Sequence, residues 1–327
     1  MILRFRGQGL RKEEALEWAA CVDTMPFYTQ MKGERSIMQS LRHQLALAYG
    51  RALPAHPGKW RVVDALAGAE APAAPKGPVR RQGITWDLDP TGLVQRAVYY
   101  LGHYEIHETR WWNRVLKPGW TVCDIGANFG YYSMLAAKGA GEGARVRAFE
   151  PHPDLQDRIA RNVALNGFEP RVQVERVALS DSNGEAVLEL PPLGNEGIGR
   201  LQPADDATGG AVKVTVQTRR LDDWFAESGL DALHLVKMDV EGAEGRVLEG
   251  GGETFQRYQP MILIELNPEA LQPFGASAGS LISTLEEWGY RLYRFKGDRL
   301  VPLTDPDSID PYCNAIALPH NAGDRFD

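Results

Sequence analysis

From Thr121 onward, short apolar runs alternate with longer segments whose apolar residues recur at helical spacing. The runs that read as strands are Thr121–Ile125, Arg145–Phe149, Val172–Val177, Leu233–Met238, Met261–Leu266, Arg291–Phe295 and Asn314–Leu318. Helical patterns fall between them, near Tyr131–Lys138, Pro153–Asn166, Ala243–Leu248 and Ser280–Trp288. This alternation predicts an α/β fold, a doubly wound and mostly parallel seven-stranded sheet with helices on both faces. One stretch breaks the rhythm. Residues 181–220 hold Asn183-Gly184, Pro191-Pro192 and an alternating Val212–Val216, which predicts a hairpin or flap, and Gly194, Gly197 and Gly199 make 191–210 a candidate mobile lid.

Two different segments precede the alternation. Residues 12–50 carry Leu16, Ala19, Ala20, Val22, Ile37, Met38, Leu41, Leu45 and Leu47 near helical spacing, so the N-terminus is expected to be mainly helical. A run rich in Ala, Pro and Gly over 67–78 then reads as a linker or long loop. Residues 83–118 are rich in aromatics: Trp86, Tyr99, Tyr100, Tyr104, Trp111 and Trp112. The expected organisation is a helical extension and linker (1–78), an aromatic lead-in that could cover an acceptor site (79–118), the main domain (119–320) and a short tail (321–327).

Charge and cysteine content narrow the classes. The net charge is −7, yet the segment up to Arg81 carries 13 Lys/Arg against 7 Asp/Glu. Those basic residues are dispersed, without the runs or aromatic interleaving of a nucleic-acid surface, so no nucleic acid is expected. Cys21, Cys123 and Cys313 are odd in number and scattered, which fits neither a disulfide framework nor a zinc cluster. No membrane-length apolar run or signal-peptide core is present, and a cytoplasmic location with no membrane partner is the expectation. The N-terminal helices offer a possible route to a homo-oligomer.

The strongest local signal is Val122-Cys-Asp124-Ile-Gly126-Ala-Asn128-Phe-Gly130-Tyr-Tyr. A buried strand ends in a carboxylate and turns through two glycines into a helix, whose N-terminus presents free N–H groups. Glu150 ends the next strand, 24 residues after Gly126, where a carboxylate can accept from a ribose diol. The spacing G-x-x-x-G is not the G-x-G-x-x-G of a dinucleotide site. An acidic neighbour to the turn suits a cationic ligand bearing an amino group and a sulfonium rather than a pyrophosphate. Taken singly, each feature has a plain structural reading: the glycines as turn formers, Asn128 as a helix cap.

Six co-linear blocks carry a family resemblance: Asp-Ile-Gly-Ala-Asn-Phe-Gly-Tyr-Tyr (124–132), Ala-Phe-Glu-Pro-His-Pro (148–153), Arg-Asn-Val-Ala-Leu-Asn-Gly (161–167), Val-Ala-Leu-Ser-Asp (177–181), Leu-Asp-Asp-Trp (221–224) and Val-Lys-Met-Asp-Val-Glu-Gly-Ala-Glu (236–244). Over about 118–268 the chain resembles the FkbM-type methyltransferases. The resemblance implies the Rossmann-like class I methyltransferase fold, S-adenosyl-L-methionine as cofactor, and a small-molecule or glycan acceptor with a free hydroxyl. Carried over by position, Asp124, Gly126, Ala127, Asn128 and Gly130 line the methionine end and Glu150 with Pro151 the ribose. Ala178, Leu179 and Ser180 flank the adenine, and Asp239 faces the methyl group. Asn162 and Asn166 are assigned to capping.

In-line methyl transfer needs an aligned nucleophile and, for a hydroxyl, a proton acceptor. Asp239 ends the fourth strand and Glu265 the fifth, on the rim where open α/β sheets bind ligands. Asp239, then Glu241, are the candidates to position or deprotonate the acceptor, with Glu265 beside them. Capping of the following helix is the plain alternative for Glu241 and Glu244. Asp239, Glu265 and Asn267 also resemble an oxygen-ligand set for Mg²⁺, but spacing alone does not establish a metal. His103 and His107 are secondary candidates for a base, His152 reaches the cofactor's edge at most, and His234 reads as structural. Tyr104 or Trp112 stacking on a sugar ring is a further expectation. The leading function is O-methylation of a sugar, polysaccharide or secondary metabolite. N-methylation of a peptide or small molecule, and a non-catalytic cofactor-binding scaffold, are the alternatives. The nucleobase version lacks its Asn/Asp-Pro-Pro-Tyr/Phe motif at Met238–Glu241.

Overall fold

Five of the seven predicted strands form the parallel core of the sheet, and burial is deepest in the central ones. The computed structural model describes residues 26–53, 58–67, 77–190, 200–201, 212–309 and 311–320. It divides the chain into two units, Met1–Ala73 and Ala74–Asp327. The first unit contains helices α1 (Pro26–Ala52) and α2 (Lys59–Ala67). Arg42 joins them by donating to the carbonyls of Ala65 (2.9 Å) and Leu66 (3.2 Å). The part of the predicted helix before Pro26, most of the linker (68–76) and the tail lie outside the described residues.

The second unit opens with the lead-in: a hairpin of β1 (Val79–Arg81) and β2 (Ile84–Trp86), then α3 (Leu93–Leu101) and α4 (Ile106–Val115). The main sheet follows, built from β3 (Thr121–Ile125), β4 (Arg145–Phe149), β5 (Val172–Glu175), β10 (Leu235–Met238), β11 (Met261–Leu266), β12 (Tyr290–Lys296), β13 (Arg299–Pro302) and β14 (Cys313–Pro319). Their order is β13-β12-β14-β11-β10-β3-β4-β5. The strands from β11 to β5 in this order are parallel, and β14, β12 and β13 add an antiparallel edge. The sheet therefore has eight strands among the described residues, one more than expected. The extra strand, β13, is four residues, exposed at both ends and half-exposed between, too short to register as an apolar run.

Helices α5 (Tyr131–Gly139) and α6 (Pro153–Asn166) follow β3 and β4; α7 (Leu221–Glu227), α8 (Glu244–Gly250), α9 (Gly252–Tyr258), α10 (Pro268–Leu271) and α11 (Ala278–Glu287) complete the cover. Strand order reverses between β3 and β10, and at that switch point a crevice opens beyond the carboxyl ends of the strands. The core is mainly apolar: Val122, Ile125, Val236, Met238, Ile262 and Ile264 are fully buried. Each such side chain contributes about 1.5–3 kcal/mol by leaving water.

The insertion after β5 is a second, four-stranded sheet of order β6-β9-β7-β8, made of β6 (Ala178–Leu179), β7 (Gly184–Leu190), β8 (Arg200–Leu201) and β9 (Val212–Arg219). Strands β7 and β9 pair antiparallel from Gly184 opposite Thr218 to Leu190 opposite Val212, so the predicted hairpin is present. The expected lid, 191–210, lies outside the described residues except for Arg200 and Leu201.

Candidate active site

The turn after β3 is held by the ends of its two neighbours. Gly126 and Ala127 both donate to the carbonyl of Phe149 at the end of β4, each at 3.0 Å, while Asp239 after β10 donates to the carbonyl of Ile125 at 3.0 Å. Gly126 has φ of 79°, and a Cβ there would sit 1.8 Å from the carbonyl oxygen of Asp239. Only glycine allows the β3 turn and the β10 end to meet this closely. Asn128 also adopts a positive φ, 55°, which asparagine tolerates better than most residues. It is not the cap of α5; Gly130 occupies that position, without a side-chain bond.

Glu150 organises the next layer. Its carboxylate accepts from the Asn128 amide (2.7 Å, Oε2) and the His152 amide (2.9 Å, Oε1), which fixes the loops after β3 and β4 to each other. Each oxygen keeps a further lone pair for a ligand hydroxyl. Burial raises the Glu150 pKa to about 7, against the pull of those two amides. Asp124, at the end of β3, is also buried and accepts from Ser133 Oγ at 2.6 Å; desolvation lifts it to about 6. His152 caps α6, accepting from the Asp154 amide, and His234 is structural as expected, accepting from the Thr121 amide and stacking on Trp120.

A crevice joins these groups. It is lined from three sides by Asp124–Phe129 with Tyr131 and Tyr132, by Phe149–His152, and by Ala178 and Leu179. Asp239, Glu241 and Glu265 line its far rim with Lys237 and Tyr104, and Val94 and Leu155 also line the crevice. Two residues assigned to the cofactor stand back from this lining. Gly130 packs on Ile159, and Ser180 donates to Asp181.

The rim contains a charged group that the sequence reading passed over. Lys237, 2% exposed, donates to Asp239 Oδ2 at 3.2 Å and lies 5.5 Å from the centre of the Tyr132 ring. It stands two residues before Asp239, so both point to the same face of β10. The signal was present in Val-Lys-Met-Asp, where a lysine interrupts a fully buried strand. One carboxylate oxygen each from Asp239, Glu244 and Glu265 lie within 4.8 Å of one another. Glu265 has its pKa raised to about 8 by burial and by Asp239, against the pull of Lys237. Glu244 accepts from the Val240 and Gly242 amides and so belongs to the turn, not to the rim. Asn267 accepts from the Ala270 amide as the cap of α10, and it is not among the carboxylates that gather at the rim. Glu241 holds a left-handed backbone (φ 55°), a strained conformation that surrounding structure must enforce.

The aromatic lead-in is strapped to the motif. Trp86 stacks on Tyr131 (5.8 Å), Tyr131 accepts from Gln82 (2.9 Å) and from the Tyr104 amide (3.1 Å), and Tyr132 donates to Glu105 (2.7 Å). Asn162 and Asn166 do not cap α6. Asn162 accepts from the Asp87 amide and donates to the Phe129 carbonyl, while Asn166 bonds both backbone groups of Thr85. Amide side chains on a helix face can pair with an extended strand in both directions, which the sequence alone did not reveal. Trp112 is fully buried edge-on against Tyr132, a packing role; Tyr104 does line the crevice. His107 is held at the surface by Asp298 at 2.7 Å, and His103 is absent from the crevice lining.

Comparison with known proteins bears directly on this crevice. Residues 124–292 match the methyltransferase FkbM domain. The chain is 30% identical over 203 residues to the methyltransferase sdnD of Sordaria araneosa, an alignment covering 54% of this chain and 76% of that protein. It is 32% identical to the 2-O-methyltransferase NoeI of Sinorhizobium fredii, covering 43% and 61%. It is 28% identical to the hexuronic acid methyltransferase AglP of Haloferax volcanii, covering 44% and 54%. The family match begins at Asp124, near the end of β3, and runs through the glycine turn, Glu150, Asp239 and Glu265. The chain that builds this crevice thus belongs to the FkbM methyltransferase family of S-adenosylmethionine-dependent enzymes.

Proposed function

We propose that the protein transfers a methyl group from S-adenosylmethionine to a hydroxyl of a sugar, polysaccharide or secondary metabolite. The observation that carries the reading is the division of one crevice into two ends. Glu150, with a free lone pair on each oxygen, stands at one end, and the ion-paired Asp239 with Glu265 at the other. The residues present fit the cofactor. Glu150 and Pro151 hold the ribose, Ala178 and Leu179 the adenine, and Asp124, Gly126, Ala127 and Asn128 the amino-acid end. When bound, S-adenosylmethionine supplies an electrophilic methyl group.

The chain's own residues then align and deprotonate the acceptor. Asp239, fixed by Lys237, orients the attacking hydroxyl and receives its proton. Glu265, with its raised pKa, carries a proton near neutrality and hydrogen-bonds the acceptor, and Glu241 closes the rim. The likeness to NoeI, a 2-O-methyltransferase, supports an oxygen acceptor, and the likeness to AglP, a hexuronic acid methyltransferase, supports a sugar. Among the described residues no helix is long and apolar enough to cross a membrane.

The test is calorimetric titration with S-adenosylmethionine, beside a Glu150→Ala variant and an NAD⁺ control. Saturable binding that the variant loses and NAD⁺ does not reproduce is expected. A folded wild-type protein that binds NAD⁺ instead, or neither ligand, would sink the reading.

A further inference from the structure

A second groove lies beside the crevice rim, and the residues between the two bear on which acceptor the site takes. Tyr104 lines the crevice and its neighbour Glu105 lines the groove; Glu265 lines the crevice and its cross-strand partner Asn314 lines the groove. Antiparallel pairing of β11 with β14 sets Glu265 directly opposite Asn314, so the two side chains share one face of the sheet. Asn314 is 8% exposed, and its Nδ2 donates to Glu105 Oε1 at 2.7 Å. A carboxylate only accepts, so this bond fixes which end of the amide is which. Asn314 Oδ1 is therefore turned away from Glu105. It is buried and has no hydrogen-bond partner, and the same holds for Glu265 Oε2. Two orphaned oxygens on paired strands between the crevice and the groove are costly unless a ligand meets them.

We propose that the acceptor is an uncharged sugar ring or similar polyol, read through adjacent hydroxyls by Asn314 Oδ1 and Glu265 Oε2. This rests on the hydroxyl-methylation reading above and narrows it. A hydroxyl is the group that suits both positions, since it donates to the amide oxygen and can either donate to a carboxylate or accept from a carboxylic acid. An acidic acceptor meets the wrong charges here. Glu105, Glu108 and Asp239 surround the position, and Lys237 is held by Asp239; of the groove's other basic residues, His107 is paired with Asp298 and exposed Lys296 ends β12. Further along the groove, Arg294 donates to Ser308 Oγ. At the lip, Tyr312 is half exposed and offers a flat apolar face for the C–H side of a sugar ring.

The experiment uses the full chain loaded with S-adenosylhomocysteine and a matched panel: methyl glycosides of glucose, galactose and mannose, their singly deoxygenated analogues, and the corresponding uronic acids. Binding is read by saturation-transfer NMR, and methyl transfer by label from S-adenosylmethionine. At least one neutral glycoside is expected to bind at least 10-fold tighter than its uronic acid. Removal of one ring hydroxyl should weaken it by about 10-fold or more. In Asn314→Leu that deoxygenation penalty should shrink to about 2-fold, while cofactor affinity stays the same. A purely structural role for Asn314 would leave the penalty intact. The wild-type panel stands alone if the variant does not fold. Preference for uronic acids, or no binding of any neutral glycoside by cofactor-loaded protein, overturns the inference while leaving methyl transfer standing. Failure to bind the cofactor at all would instead remove the parent reading.

Discussion

Three glycines with the same backbone sign but different surroundings allow the cost of the β3–β10 approach to be isolated. Gly167, Gly130 and Gly126 have φ of 64°, 87° and 79°. An added Cβ meets nothing within 4 Å at Gly167, the buried side chain of Ile159 at 3.3 Å at Gly130, and the Asp239 carbonyl oxygen at 1.8 Å at Gly126. Alanine at Gly167 should cost only the left-handed penalty, about 1–2 kcal/mol. At Gly130 the Ile159 side chain yields by a few tenths of an ångström, adding about 1 kcal/mol of crowding. At Gly126 relief requires backbone movement, because β3 and β10 are joined by the Asp239–Ile125 hydrogen bond. Ordinary contact needs at least about 3 Å, so Asp239 and the turn must part by roughly 1 Å, enough to cost about 10²-fold in rate. The assay is urea unfolding of all three alanine variants with kcat/KM on the same preparations. The expected order of damage is Gly167, Gly130, Gly126, with activity lost disproportionately in the last. A Gly126→Ala variant as stable and active as Gly167→Ala would refute the claim that this contact sets the site.

Two further outcomes follow from the buried charges. Lys237→Met should destabilise the protein by about 3–5 kcal/mol by leaving Asp239 uncompensated. Because Lys237 holds the Glu265 pKa down, the variant's Glu265 should titrate above about 8 and the pH–rate profile should shift with it; an unmoved profile at unchanged stability would contradict this. The second concerns linkage. Asp124 and Glu150 titrate near 6 and 7 in the fold, above their ordinary values, so both bind protons more tightly folded than unfolded. Their contribution to stability is fully present below about pH 4 and is lost as pH rises through 6–7. A cationic cofactor favours their ionised forms, so its binding near pH 6.5 should release protons, seen as a buffer-dependent calorimetric enthalpy. Proton uptake would show the sign to be wrong.

The parallel core was legible because burial on both faces leaves continuous apolar runs, and the boundaries of β3, β4 and β11 are those the pattern predicts. The glycine turn and Glu150 were legible because backbone constraint limits which residues can stand there. Lys237 was not, since its meaning depends on Asp239 and Tyr132 crossing the same space. Nor was Asn314, whose significance comes from the β11–β14 register that places it opposite Glu265. The roles of Asn162 and Asn166 were hidden for the same reason, as their partners lie 75 and 81 residues away along the chain.

The strapping of the lead-in has a practical bearing on where this protein can be cut. Family similarity starts at Asp124, which invites excision there for grafting or crystallisation. Such a cut would strip β3 of its first residues and leave Tyr131, Asn162 and Asn166 facing water with their partners gone. It would also uncover Phe129, against which Trp86 packs at 5.6 Å. The smallest transplantable piece therefore starts before Val79, and modularity in this chain is set by hydrogen bonds between distant segments rather than by the borders of sequence similarity.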